Sequence, residues 1–224
     1  MNYLVTISVS LTLLGAVRGN TEQTSGALDP AKIGDDNHWR LRNATAEFVE
    51  MDGKRAVHMR ATGDSANGSM GLAIPVGVEF TTGAIELDLK GKHQRPSFLG
   101  FAFNITDEKT FEAIYFRPFN FKADEPFQQR AVQYIAWPEH TWDKLRKQKP
   151  GQFEKSVHPV PDPDTWFHAR IEVTDKRVQV FVNRAKEPCL VVSRLREGPA
   201  KRPVGLLVDV AEGLYANLEV NPSQ

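Results

Sequence analysis

The residues best equipped for chemistry in this 224-residue chain lie between positions 111 and 142. Phe111, Ala113, Tyr115 and Arg117 alternate with Glu112, Ile114 and Phe116, and Pro118 then ends regular pairing so that Asn120 projects from a bend. Arg117 presents a planar fork of N–H donors suited to sugar hydroxyls or a carboxylate, while Asn120 both donates and accepts. One strand further on, Ala131, Gln133 and Ile135 share a face, and Trp137, Pro138, His140 and Trp142 follow in a loop. Flat aromatic rings stack on the C–H faces of sugars while Arg, Asn, Gln or His bonds the hydroxyls. Arg117, Asn120, Gln133 and Trp137 are therefore the candidate binding residues, and His140 and Glu112 the candidate acid or base. Arg117 has an equally weighted structural role open to it, an ion pair with Glu86, Asp88 or Asp124.

Other motifs narrow the chemistry. In Ile85-Glu86-Leu87-Asp88-Leu89-Lys90, Glu86 and Asp88 share one strand face. Retaining glycosidases set an acid and a nucleophile about 5 Å apart in this manner, but Lys90 stands where the next same-face carboxylate is needed. An ordinary half-buried strand with a polar solvent side accounts for the pair. The stretch from His158 to Asp164 brings two carboxylates near a histidine, yet its alternating prolines make a stiff turn-forming loop rather than a calcium cage. G-x-S-x-G, H-E-x-x-H and Walker patterns are missing, so serine-hydrolase, zincin and nucleotide readings have no support. No cofactor or metal is expected.

The 28 basic and 28 acidic side chains balance, which gives no electrostatic reason to bind nucleic acid. Cys189, the single cysteine, excludes an intrachain disulfide and a structural zinc cluster, and in the apolar run PCLVV it reads as a buried, inert thiol. Residues 4–17, LVTISVSLTLLGAV, are too short to span a bilayer comfortably and end near small residues at Val17 and Gly19. The expected organisation is a signal peptide over 1–19, a polar linker over 20–37 and one domain over 38–224, exported to the periplasm or beyond, with no membrane span once the leader is removed. Sequons at Asn43, Asn67 and Asn104 matter only in a glycosylating host.

The elements that must position these residues are strands. Met51-Asp52-Gly53-Lys54 is a hairpin turn. The stretches 167–173 and 178–183 alternate cleanly about Asp175-Lys176, with Ala169, Ile171, Val173, Val178, Val180 and Val182 as core residues. In the block from Phe98, Leu99, Phe101, Phe103 and Ile105 share one side, and Gly100, Ala102 and Asn104 the other. Thr141 can cap one short helix whose Trp142 and Leu145 dock on the body, Trp142 half in the core. About ten strands with almost no helix predict an all-β fold, two antiparallel sheets packed as a jelly-roll sandwich.

The segments FEAIYFRPFNF, RAVQYIAWPEHTWDKLR, WFHARIEV with RVQVFVN, and VGLLVDVAEGLYANLEV resemble the 3-keto-disaccharide hydrolase-like domains of the concanavalin A-like lectin and glucanase superfamily. The resemblance covers roughly residues 38–221. It implies an exported protein with a carbohydrate partner on its concave sheet, binding and hydrolysing a 3-keto-glycoside; the alternative is a non-catalytic carbohydrate- or protein-binding jelly-roll module.

Overall fold

The computed structural model describes residues 26–63, 70–196 and 200–223. The expected leader over 1–19 and the Asn67 sequon lie outside these residues.

In chain order the strands are β1 (Gly26–Ala27), β2 (Trp39–Arg42), β3 (Ala44–Met51), β4 (Lys54–Ala61), β5 (Gly71–Pro75), β6 (Glu79–Phe80), β7 (Gly83–Lys90), β8 (Phe98–Asp107) and β9 (Thr110–Phe116). They continue with β10 (Val132–Trp137), β11 (Glu154–Lys155), β12 (Phe167–Val173), β13 (Arg177–Val182), β14 (Leu190–Ser193), β15 (Arg202–Pro203), β16 (Gly205–Asp209) and β17 (Glu212–Pro222). One helix, α1 (Trp142–Gln148), follows β10. An eight-stranded sheet runs β14-β13-β12-β7-β17-β4-β3 with β1 added to β17, and a seven-stranded sheet runs β11-β10-β9-β8-β16-β5-β2. Both are antiparallel. The two stack as the jelly-roll sandwich that the alternation predicts.

The side-chain period of two fixes what lies between the sheets. On β12 and β13 the residues Ala169, Ile171, Val173, Val178, Val180 and Val182 are all buried, and their neighbours His168, Arg170 and Glu172 point outward. From the opposite sheet Phe116 meets Phe167 edge-on at 5.1 Å, and Phe121 meets the same ring at 5.1 Å. Cross-strand pairing places Leu99 beside Phe116, Phe101 beside Ile114 and Phe103 beside Glu112, so this face of β8 and β9 is the interior. At the β3–β4 turn, Asp52 and Gly53 both take positive φ (52° and 75°), the backbone that a two-residue hairpin needs. Gly213 lets the sheets approach closely: a Cβ there would meet the Leu99 Cβ at 3.0 Å.

Three expectations change. Residues 26–37, assigned to the linker, belong to the fold: Gly26 and Ala27 pair with Val220 and Glu219, and Ile33 is buried. Polar composition hid a segment anchored by Ile33, the partly buried Leu28 and backbone bonds. Leu145 of α1 is buried as expected, but Trp142 is 43% exposed rather than half in the core. Thr141 occupies the cap position without capping the backbone, because its hydroxyl donates to Asp143 at 2.5 Å instead.

Candidate functional site

The outer face of the seven-stranded sheet carries the candidate site. Tyr115 lies between Gly100 on one side and Gln133 on the other, Trp137 pairs with Phe111, and Phe98 pairs with Asp209. These registers set Phe98, Tyr115, Gln133 and Trp137 on the face opposite the core. Loops then build walls: Arg95 from the β7–β8 connection, Phe119, Asn120, Phe127 and Arg130 from the β9–β10 connection, and Trp142 and Arg146 from α1. They enclose a cleft of about 400 Å³ that also takes in Met70, Arg117, Asp209 and Val210. Gly100 leaves room for this floor, since a Cβ there would lie 2.1 Å from the Ile114 carbonyl oxygen.

Arg117, 5% exposed, is the hub of the cleft's polar base. Its Nη2 donates to the Tyr115 hydroxyl at 2.8 Å and to Gln133 Oε1 at 3.3 Å, and its Nη1 donates to the Arg130 carbonyl at 2.8 Å. Its carboxylate neighbour is Glu154, 3.7 Å away, not the expected Glu86, Asp88 or Asp124. Glu86 and Asp88 belong to β7, in the other sheet. Arg146 grips Glu154 with both ends of its fork, Nε at 2.7 Å and Nη2 at 2.6 Å. Burial pushes the Tyr115 phenol up to about 12 despite the Arg117 charge, so it stays protonated and accepts from the guanidinium. Burial also lowers the Arg117 value, against the pull of Tyr115 and Glu154. Gln133 turns its amide inward and donates to the Tyr134 and Phe153 carbonyls, each at 3.0 Å. Asn120 donates to the Arg130 carbonyl at 3.2 Å and accepts from Arg95 Nη2 at 2.8 Å.

Aromatic rings and guanidinium groups interleave around the opening. Arg95 lies over Phe127 at 4.4 Å and Phe119 at 5.1 Å, Arg130 over Phe127 at 5.5 Å, and Arg146 over Trp142 at 4.7 Å. Phe98 meets Tyr115 and Phe119 edge-on at 5.8 and 5.7 Å. Stacking of this kind holds each guanidinium plane while leaving its N–H edge able to bond a ligand.

Four of the six candidate residues therefore converge: Arg117, Asn120 and Trp137 line the cleft and Gln133 braces Arg117 from beneath. The other two do not. Glu112 points between the sheets, fully buried, where Arg194 bonds it at 2.5 and 3.2 Å, Tyr134 at 2.5 Å and Asn104 at 2.8 Å. Its parity with Ile114 and Phe116 already carried that placement, so Glu112 is corrected from a cleft acid to a buried ion-pair partner. His140 closes a bridge to Ala136 and lines a separate cleft of about 450 Å³ with Asn104, Thr106, Glu139 and Arg196. Arg95, Arg130, Arg146, Phe98, Phe119 and Asp209 escaped the sequence reading. The repeated pairing of Arg with aromatics between 95 and 146 signalled all of these but Asp209. Among the described residues the cleft lining holds one carboxylate, Asp209, so it lacks the pair that two-carboxylate glycoside hydrolysis uses.

The sequence matches no protein-family model and no curated protein. Solved structures share the fold. A beta-glucanase from Bacillus licheniformis superposes with a TM-score of 0.54 at 12% identity, covering 90% of this chain and 100% of that one. The carbohydrate-binding module CBM66 from Bacillus subtilis gives 0.51 at 12% identity, covering 80% and 95%. A Bacillus subtilis protein of unknown function with a galectin-like fold gives 0.52 at 15% identity, covering 88% and 96%. At these identities the likeness is one of architecture: the chain is a two-sheet antiparallel jelly-roll sandwich, a fold it shares with these structures.

Proposed function

We propose that this is an exported carbohydrate-binding protein that holds a saccharide in the cleft on the outer face of the seven-stranded sheet without cleaving it. The observation that carries this reading is the cleft itself: rings of Phe98, Trp137 and Trp142 stand beside the donors of Arg117, Arg95 and Arg130 on a rigid sheet floor. Rings facing donors match a molecule with apolar C–H faces and polar rims. Residues 4–17 support export, and the architecture shared with glucanases and a carbohydrate-binding module supports the ligand class. Affinity electrophoresis on a panel of glycans tests it: retention of at least one glycan is expected, with retention lost in Trp137→Ala. A folded protein retained by none overturns it.

A second reading, hydrolysis of a 3-keto-glycoside, is favoured by the sequence resemblance and by Asp209. Moving the proton beside the ketone to the departing glycosidic oxygen, with water then adding to the enone, requires one acid/base group rather than two carboxylates, and Asp209 lies in the cleft. Under this reading, mass spectrometry finds the released sugar from a 3-keto disaccharide, and Asp209→Asn abolishes release. Under the first, intact substrate is recovered.

A further inference from the structure

We infer, on the basis of the sugar-binding reading above, that the ligand is an anionic saccharide, one bearing carboxylate or sulfate groups. The argument starts from an imbalance of donors and acceptors. Arg95, Arg117, Arg130 and Arg146 line one cleft, and the carboxylates set against them are Asp209 in the lining and Glu154 beneath it. Glu154 serves two of the arginines at once. Arg95 and Arg130 have no carboxylate within 4.0 Å among the described residues; their recorded partners are Asn120 and aromatic rings. A guanidinium offers five N–H donors and no acceptor. A neutral sugar presents hydroxyls that donate as well as accept, and a site for it needs acceptors to receive those protons. This lining is rich in donors and poor in acceptors, which suits ligand oxygens that only accept. Carboxylates and sulfate esters are such groups, and the flat guanidinium fork bonds them in pairs.

The excess is local, because basic and acidic side chains balance over the whole chain. It also continues past the first cleft. A neighbouring cleft of about 450 Å³ shares Arg95 and Val210 with the first and adds Arg60, Lys92, Gln94 and Ser97. The carboxylate there, Glu212, is already engaged by Lys92, Arg60 and His58. Ser97 is 1% exposed and its hydroxyl has no partner among the described residues. The two clefts adjoin at Arg95 and Val210, which line both.

Calorimetric titration of the full chain tests this with four probes: an oligogalacturonate, a sulfated carrageenan oligosaccharide, neutral cello- and laminari-oligosaccharides of the same length, and a single-stranded oligonucleotide. One or both anionic sugars are expected to bind about tenfold or more tighter than the neutral ones, and to weaken by about that factor in Arg95→Gln and in Arg130→Gln. Both side chains stand at the surface, and circular dichroism checks that the variants fold. Affinity for the carboxylated sugar alone assigns uronates, and for the sulfated sugar alone assigns sulfate esters. Neutral sugars bound as tightly as anionic ones, lost in Trp137→Ala but unmoved by Arg95→Gln, would leave the sugar-binding reading standing and overturn this inference. Binding of no saccharide, or of the oligonucleotide only, overturns both.

Discussion

On the outer face of the eight-stranded sheet, His168 bridges Glu86 at 3.2 Å and Asp88 at 2.9 Å, and Lys54 and Asn217 complete Asp88 at 2.9 and 2.7 Å. On the same sheet Glu212 is shared among Arg60, His58 and Lys92. On the outer face of the seven-stranded sheet, Arg95 and Arg130 rest on aromatic rings with no carboxylate at hand among the described residues. Both faces carry charged side chains. They differ in closure. The first satisfies its own donors and acceptors, so its charges serve the fold. The second leaves directed donors open beside rings, which is the condition of a surface that completes itself with a ligand.

The widest test of this contrast uses a charge that belongs to neither face. Glu112→Gln or Arg194→Met breaks the ion pair in the interior and leaves its partner buried, so a loss of about 3–5 kcal/mol in urea denaturation is expected, with glycan retention per folded molecule unchanged. Retention that vanishes while stability holds would put Glu112 back among the functional residues. Next comes Arg117→Ala. It strips a donor from Tyr115, Gln133 and the Arg130 carbonyl, while Glu154 keeps Arg146. A loss of about 1–3 kcal/mol is expected, together with weakened ligand binding as the Arg130 loop shifts; a variant of full stability would show the hub to be dispensable.

The closed face has a pH signature. The Asp88 hydrogen bond, then the Glu86 one, raises the His168 pKa from its ordinary 6.5 against the opposing effect of burial. A raised value in the folded state means that the contribution is fully present below 6.5 and disappears as pH climbs through the folded value. Wild type should therefore exceed His168→Gln in urea midpoint at pH 5.5 by an amount worth about 1 kcal/mol or less, since the cluster is partly solvated, and the gap should close in alkali. For Asp88 burial is the largest single influence and acts upward, but bonds from His168, Lys54 and Asn217 outweigh it and bring the carboxyl down to about 2. Its contribution is present above 3.8 and is lost as pH falls toward 2. A gap that does not change between pH 5.5 and 9 would remove the ion pair from the account. The smallest effect belongs to Arg60→Ala, within about 0.5 kcal/mol by thermal melt because the side chain is half exposed; a larger loss would mean that the closed face is a cooperative network.

Strand alternation made the sandwich legible. The runs at 167–173 and 178–183 write their core residues at every second position, and Asp52-Gly53 writes its own turn. Arg117, Asn120 and Trp137 were legible too, because one strand, one bend and the neighbouring strand bring them together with little dependence on the rest of the chain. Glu112 was misread although its parity was plain, since a carboxylate among aromatics suggests catalysis until its partner is known. That partner, Arg194, stands 82 residues away. Arg95 and Asp209 reach the cleft only through sheet order: β16 lies beside β8 in the sheet but far along the chain. Short-range pattern records faces, whereas the walls of this cleft depend on which strands become neighbours.

Gly26 pairs with Val220 at one edge of this geometry, and the Ser223 amide donates to the Thr82 carbonyl at 2.8 Å. Both described ends of the chain thus leave from the eight-stranded sheet, not from the seven-stranded sheet whose outer face carries the Arg117 cleft. A surface or reporter joined through either end would attach at the eight-stranded sheet, so the protein can be immobilised on a bead or sensor chip with its cleft turned toward the solution.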